Sequence, residues 1–116
     1  MTVSLRGGLE QEATCLLFRF TGQLDAYSDK QFLEFVSTGL ANSPLPVVLD
    51  LSRIDFLDSS GLGALVQLAR QCEQSHHDFL VVGNARVAQT VKLVRLEQFL
   101  HLQPDLETAL GRLAPV

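Results

Sequence analysis

The sequence predicts an α/β fold, a mostly parallel sheet of about five strands with an antiparallel N-terminal strand and four helices. Short apolar runs of strand length alternate with stretches whose apolar residues recur at helical spacing, in the order β-β-α-β-α-β-α-β-α. Such alternation buries a mostly parallel sheet beneath the helices that connect its strands. The 116 residues are 47% hydrophobic and 19% charged, without a repeat or linker, which predicts one globular domain over 1–116.

The composition restricts the expected partners and sites. A formal net charge of −4 disfavours nucleic acid and anionic membranes, since both need a basic surface, and leaves another protein as the expected partner. Cys15 and Cys72 have no disulfide or metal-ligand spacing, so we interpret them as buried thiols and expect neither metal nor cofactor. Without a signal-peptide pattern or an apolar run near about 20 residues, we expect a cytoplasmic protein that does not insert into a membrane.

The first two predicted elements are an antiparallel pair of strands. Residues 2–6 alternate polar and apolar side chains, and a second apolar run spans 14–21. Gly7-Gly8 is typical of a turn, and the polar residues 10–12 complete the predicted connection. Residues 22–25, Gly-Gln-Leu-Asp, then close the second strand.

A helix and a buried strand follow. Ser28 and Gln31 have the spacing of a capping box, which predicts a helix that begins there and ends near Asn42. The prolines of residues 43–46 bar its continuation. Residues 47–51, Val-Val-Leu-Asp-Leu, form a short apolar run typical of a buried parallel strand.

The next helix is the most amphipathic stretch of the chain. We expect a loop over residues 52–57 and then a helix that continues to about Ser75. Its apolar stripe contains Leu62, Leu65, Val66, Ala69 and Cys72.

The C-terminal part predicts two further strands and two helices. A buried strand over 79–83 precedes a helix from about Ala85, and a last short strand is expected over 99–102. Pro104 is predicted to open the terminal helix. The inward positions of these two helices are expected to be Val87, Val91 and Val94, then Leu106, Ala109, Leu110 and Leu113.

The start of the second predicted helix carries the most informative residues. Asp58 or Ser59 can accept a hydrogen bond from an unpaired N–H of the first turn, which leaves Ser60 with its hydroxyl facing outward. A phosphate on Ser60 would meet free N–H groups and the positive end of the helix dipole. Gly61 and Gly63 weaken a helix, and we interpret their lack of a Cβ as access for another protein.

The carboxyl ends of parallel strands meet at one edge of a sheet, so Asp25 and the loop over 55–60 should lie together there. Turn and cap roles explain Asp25, Asp55 and Asp58 as well as a metal cluster does. Asp50, inside an apolar run, needs a hydrogen-bonding partner and is expected to be structural.

Three roles stay open for Ser60 on these grounds: helix capping, phosphorylation and nucleophilic catalysis. The chain has no G-x-S-x-G motif, which disfavours a hydrolase. Gly61-x-Gly63 lacks the third glycine of a dinucleotide fingerprint, because Val66 stands at that position.

The chain resembles the STAS domain family, specifically the bacterial anti-sigma factor antagonists. The resemblance lies in Gly22-Gln23-Leu24-Asp25, in Val48-Leu49-Asp50-Leu51 and in the stretch from Phe56 to Leu65, and it extends over essentially the whole chain. It implies a single STAS domain and a regulator that is not an enzyme. Such proteins bind a GHKL-type serine kinase that also acts as an anti-sigma factor.

The resemblance also assigns roles to individual residues. It implies that the kinase phosphorylates Ser60, that a metal-dependent Ser phosphatase reverses this, and that only the unmodified form binds the kinase. Asp25 corresponds to the aspartate facing the phosphorylated loop, and Asp58 to the one preceding the serine pair. We expect the partner-binding residues to be Asp25, Asp58, Ser59, Gly61, Leu62 and Gly63.

Two alternative functions follow from the same residues. A STAS-type regulatory subunit of a lipid or anion transporter would not need a phosphorylated serine, and it would copurify with membrane proteins. A small hydrolase would cleave an activated ester in a reaction that depends on Ser60.

Overall fold

The computed structural model describes residues 5–113 and confirms the predicted fold class. Its five-stranded sheet has the order β1-β2-β3-β4-β5, in which β1 is antiparallel to β2 and the other neighbouring pairs are parallel. The elements are β1 (Leu5–Gln11), β2 (Leu16–Leu24), α1 (Asp29–Ala41), β3 (Val47–Leu57), α2 (Ser59–Gln74), β4 (Phe79–Val82), α3 (Ala85–Leu93), β5 (Leu102–Gln103) and α4 (Leu106–Leu113).

The sheet separates two apolar clusters. The larger one joins α1, α2 and α3 to one face of the sheet, and Phe18, Phe32 and Leu65 lie within it. The smaller one joins α4 to the other face, where Ala109 packs with Leu17 and their neighbours. Consecutive strand residues point to opposite faces of the sheet. Because helices cover both faces, the central strands carry apolar side chains on both.

The predicted boundaries of the first strand pair are wrong. The Gly7-Gly8 turn and the polar connection over 10–12 are incorrect, because β1 continues through Gln11. Six of the seven β1 residues are exposed, and such an edge strand resembles a polar loop in sequence. Residues 2–4 of the predicted first strand lie outside the described residues. β2 continues to Leu24, three residues past the predicted end.

The predicted capping box of α1 is also wrong. Ser28 is the N-cap residue, but its side chain caps no helical N–H. Its hydroxyl instead donates to the Gln23 carbonyl at 2.8 Å and accepts from the Asp25 N–H at 3.0 Å. Ser28 therefore holds the turn before the helix.

The predicted loop over 52–57 belongs to β3. This strand pairs with β4 only over residues 47–50, while its pairing with β2 continues to Leu57 through two register irregularities. Beyond β4, Asn84 replaces a strand partner: its side-chain amide donates to the carbonyls of Ser52 (3.1 Å) and Ile54 (2.8 Å).

The C-terminal elements begin later than predicted. β5 is Leu102–Gln103 instead of 99–102, and α4 begins at Leu106 after Asp105, whose carboxylate accepts from the Thr108 N–H at 2.7 Å. Val94, expected to point inward, is exposed because α3 ends one residue before it.

Asp50 has the structural role that its position predicts. Its buried carboxylate accepts from Arg19 Nε at 3.1 Å and from the N–H and hydroxyl of Ser52 at 3.0 and 2.6 Å. These bonds offset the cost of burying the carboxylate within β3.

Candidate partner-binding site

The parallel pairing of β2 and β3 brings together the two loops that the sequence places at one edge. The last residue pair of these strands is Leu24 with Leu57, so Asp25 and Asp58 leave the sheet side by side. The Asp58 N–H points to the Leu24 carbonyl at 3.4 Å. Residues 33 positions apart in sequence thus form one surface, the switch edge, which we define as residues 25–28 and 55–63.

Asp58 is the N-cap residue of α2. Its backbone is extended, and its carboxylate accepts from the Gly61 N–H at 2.9 Å, while its carbonyl accepts from the Leu62 N–H at 2.9 Å. Asp58, of the two residues that the sequence allows, therefore caps the helix. This leaves the N–H groups of Ser59 and Ser60 without an acceptor within residues 5–113.

The two serines differ in their surroundings. Ser59 is exposed and Ser60 is half-buried in the first turn of α2. Neither hydroxyl has a hydrogen-bond partner within the described residues. The one fully buried side-chain oxygen without a partner in that part of the chain belongs to Glu97, so the Ser60 oxygen is not fully buried. The Ser60 hydroxyl is therefore open to solvent at the N-terminus of α2, beside two free N–H groups that favour an anion.

Gly61 and Gly63, both near the start of α2, lack a side chain with different structural consequences. Gly61 is buried, and a Cβ there would collide with the Leu24 carbonyl oxygen and lie 2.9 Å from Leu57 Cδ1. Its small size lets α2 pack onto the end of β2. Gly63 is exposed with open space around it, so it leaves backbone accessible to a partner.

Asp25 is the centre of a tight turn. Its side chain is only 7% exposed, and one carboxylate oxygen accepts from the N–H groups of Tyr27 (2.9 Å) and Ser28 (3.1 Å). Asp25 thus belongs to the switch edge by position, but its carboxylate faces the turn. Its charge supports the neighbouring backbone.

Two aromatic side chains of the switch edge were not identified from the sequence. Tyr27 is 93% exposed at the tip of the turn that Asp25 holds, and Phe56 is 45% exposed on β3, opposite Gln23. Tyr27 is the only tyrosine of the chain, and its place two residues after Asp25 was the available signal. Exposed aromatic residues are frequent anchors of protein interfaces.

The remaining charged residues of the switch edge are acidic, and a basic side chain contacts one of them. Asp55 is exposed, Asp58 is partly exposed, and Arg86 Nη1 donates to the Asp55 carbonyl at 3.0 Å. No group of His, Cys, Asp and Glu within residues 5–113 could hold a metal ion. The described helices include none long and apolar enough to cross a membrane.

Two clefts lie away from the switch edge. One of about 860 Å³ is lined by residues of α3, β5 and α4, among them Lys92 and Arg112, and another of about 520 Å³ lies beside the histidines 76, 77 and 101. Neither is lined by Asp25 or Ser60. The switch edge consists of loops and a helix end with two exposed aromatic side chains, Tyr27 and Phe56, which suits a protein partner.

The buried thiols match their expected role. Cys15 and Cys72 are both free and fully buried. Burial raises the pKa of Cys72 to about 11, and burial together with the nearby Glu12 carboxylate raises the pKa of Cys15. Both thiols are therefore protonated core groups.

Comparison with characterised proteins identifies similar sequences. RsfA of Mycobacterium tuberculosis, an anti-sigma-F factor antagonist, is 23% identical over 111 residues, which cover 93% of this chain and 87% of RsfA. Rv2638 of the same species, provisionally named an anti-anti-sigma factor, is 26% identical over 115 residues, covering 94% of this chain and 76% of its own length.

Solved structures share the fold. An anti-sigma factor antagonist from Mycobacterium paratuberculosis superposes with a TM-score of 0.87 at 24% identity, covering 95% of this chain and 94% of its own. The antagonist SpoIIAA superposes at 0.75 in its unphosphorylated form (21% identity, 92% and 95% covered) and at 0.71 in its phosphorylated form (19% identity, 94% and 100% covered).

The fold also occurs inside a larger protein. The murine anion transporter Slc26a9 superposes with a TM-score of 0.77 at 19% identity, and the match covers 89% of this chain and 18% of the transporter. The model of the STAS domain matches residues 8–109, which include the whole switch edge. This protein therefore belongs to the STAS domain family.

Proposed function

We propose that this protein is an anti-sigma factor antagonist that binds a GHKL-type anti-sigma serine kinase while unphosphorylated and releases it once Ser60 is phosphorylated. The observation that carries the proposal is the position of the Ser60 hydroxyl. It is open to solvent on the first turn of α2, and the adjacent N–H groups of Ser59 and Ser60 have no acceptor within the described residues. The names of the relatives support the antagonist role.

The site suits a protein that receives a phosphate and transfers none. The free N–H groups and the helix dipole stabilise a dianion at Ser60, so the modified protein keeps its fold. No histidine lies in the switch edge to activate the Ser60 hydroxyl. The partner kinase therefore supplies ATP and the catalytic groups, and a metal-dependent Ser phosphatase removes the phosphate.

Phosphorylation blocks binding through the surface of the switch edge. The phosphate adds about −1.5 to −2 charges to a surface that already carries Asp55 and Asp58. It also adds a bulky hydrated group to the same surface that presents the exposed Tyr27 ring and the accessible backbone of Gly63. Like charges brought together at an interface cost several kcal/mol, which corresponds to a loss of affinity of about a hundredfold or more.

The test uses recombinant GHKL-type serine kinases from the same organism. Each is incubated with ATP, magnesium and this protein, as wild type, Ser60→Ala or Ser59→Ala, and intact mass reports the modification. We expect one phosphate on the wild type and on Ser59→Ala, and none on Ser60→Ala. Labelling of Ser60→Ala together with loss of labelling in Ser59→Ala would reassign the site.

Affinity completes the test. Calorimetric titration of the same kinase should detect binding of the unmodified protein and of Ser60→Ala, and a loss of about a hundredfold or more for the phosphorylated protein. Equal affinity for both forms would refute the switch. Copurification with a membrane transporter, without any kinase that labels Ser60, would favour the transporter-subunit function.

A further inference from the structure

Among residues 5–113, no strand pairs with the outer side of β1, so that side of the sheet is open. β1 is an edge strand that pairs with β2 along all seven of its residues without a register shift. In β2, the Leu16 N–H donates to the carbonyl of Pro46, which directly precedes β3, so Leu16 directs its backbone groups toward β3. Because the direction alternates along a strand, Leu17 and Arg19 direct theirs toward β1. Their partners Glu10 and Gly8 therefore face β2.

The intervening β1 residues turn their backbone groups outward. Alternation along the strand gives the open edge the N–H and C=O groups of Leu5, Gly7, Leu9 and Gln11. Such a row of backbone groups is a template for another strand. β1 contains no proline and no register shift that would turn this edge away from a partner strand.

The sequence of β1 is complementary to itself in antiparallel orientation. Around a two-fold axis at Gly8, Arg6 lies opposite Glu10 of the partner subunit, and Glu10 lies opposite the partner's Arg6. Gly7 lies opposite Leu9 of the partner subunit, and both carry outward-facing backbone groups. These are the residues that must exchange hydrogen bonds in an antiparallel pair centred there, so the register agrees with the backbone geometry.

The apolar surface beside the edge supports the same register. Leu9 and Phe35 are 41% and 38% exposed on the helix-covered face. A Cβ on Gly7 would lie 2.6 Å from the Phe20 ring, so the glycine lets this buried ring pack directly against β1 beside the open edge. In the two-fold pair, the partner's Leu9 would lie opposite Gly7, on the same face of the sheet as the exposed Leu9 and Phe35. Gly8, with open space around it, allows the two backbones to approach at the axis.

We propose that two copies of this protein associate through antiparallel pairing of their β1 strands about a two-fold axis at Gly8, which joins two five-stranded sheets into one. The occupant of the open edge is a second copy because Arg6 and Glu10 are matched across the axis and an isologous contact repeats each pair. β2 separates this edge from β3 and α2, so both Ser60 hydroxyls stay accessible in the dimer. The proposal does not depend on phosphorylation of Ser60.

The test is a charge exchange followed by sedimentation velocity from about 5 to 500 μM, the range suited to an interface below standard size. The wild type should dimerise in this range. Arg6→Glu and Glu10→Arg should each weaken the dimer by about tenfold, because one substitution puts two pairs of like charges across the axis. The double variant should regain dimerisation, although Glu10→Arg also removes the 3.9 Å contact between Arg19 and Glu10. Glu12→Arg, the matched control just outside β1, should leave the dimer unchanged.

Amide exchange locates the contact independently. The amides of Gly7 and Leu9 should become protected at high concentration, whereas those of Gly8 and Glu10 should be protected at every concentration. A monomer over the whole range, failure of the double variant to recover, or a dimer whose Gly7 and Leu9 amides still exchange freely would each overturn the proposal.

Discussion

At the level of single residues, Gly61 is the switch-edge position at which α2 packs directly against the end of β2. A side chain there would separate α2 from the Leu24 carbonyl, and with it Ser60 from the Asp25 turn. A Cβ added at Gly63, two residues later, would meet no atom within 4 Å apart from the helix's own nearby backbone. An alanine substitution at Gly61 therefore tests the packing of α2 on β2, whereas an alanine substitution at Gly63 tests the access of a partner to the backbone.

We expect Gly61→Ala to lower the free energy of unfolding by about 1–3 kcal/mol, because the Cβ overlaps a backbone carbonyl that has little room to move. Gly63→Ala should raise it by up to about 1 kcal/mol, because alanine is the better helix former. Urea unfolding measures both. If Gly63→Ala also weakens kinase binding, the partner contacts the bare backbone there; equal stability of the two variants would contradict the packing role of Gly61.

Cys72 makes a prediction about pH. Its pKa of about 11 in the folded protein lies above its ordinary value of 9.0, so ionisation favours the unfolded chain. The protonated Cys72 thiol makes its full contribution to the free energy of unfolding below pH 9, and this free energy falls by about 2–3 kcal/mol as the pH rises to about 11. Cys72→Ala should be less stable at pH 7 because of the cavity, but its unfolding free energy should fall less steeply between pH 9 and 11. Parallel pH profiles for the two proteins would contradict this.

At the level of elements, the turn from Asp25 to Ser28 joins β2 to α1 and presents Tyr27. The Asp25 carboxylate holds this turn through the backbone N–H groups, so its removal affects both the turn and the ring that it presents. A buried carboxylate with several hydrogen bonds is expected to be required for stability as well as for binding.

Asp25→Ala should cost about 1–3 kcal/mol of unfolding free energy and weaken kinase binding, because the turn loses its acceptor. Tyr27→Ala should weaken binding by about tenfold or more at unchanged stability, because the ring is exposed. Ala26→Ser, a change at an exposed neighbouring position, is the control for both. Thermal unfolding and calorimetry separate the two effects. Full kinase affinity of Tyr27→Ala would remove this residue from the contact.

Sequence periodicity predicted the order and type of every element but misplaced several ends. Apolar spacing depends on which face is buried, so the buried β4 was easy to recognise and the exposed β1 resembled a loop. The second half of β3 was missed because its partner on one side is the side chain of Asn84, which is remote in sequence. The Ser28 capping box failed because Asp25 and Gln23 compete for the same hydroxyl.

The sequence predicted those features of the candidate site that follow from the order and direction of the strands. Parallel strands place Asp25 and Asp58 together, and the Asp-Ser-Ser-Gly stretch indicates a helix start. The contact of Gly61 with Leu24 and the exposure of Tyr27 depend on how distant elements pack, and a single sequence contains no such information.

At the level of the whole molecule, the switch is expected to change a surface and preserve the fold. A phosphate on Ser60 would lie at a helix end, outside both apolar clusters, so phosphorylation should leave amide protection in the cores of β3, β4 and α2 unchanged. Hydrogen exchange of the unmodified and phosphorylated forms measures this, with Ser60→Ala treated with kinase as the control. Broad loss of core protection would show that the switch acts by unfolding.

The sheet order has a consequence for biosynthesis. Each strand lies beside the strand that precedes it in the chain, so every new strand meets a neighbour that has already emerged from the ribosome. The pairing of the Asp25 and Asp58 loops needs only β2, β3 and the start of α2, so it can form before β4 is synthesised, whereas Arg86 can reach Asp55 only afterwards. We therefore expect nascent chains to acquire the paired Asp25 and Asp58 loops while the rest of the sheet is still being added.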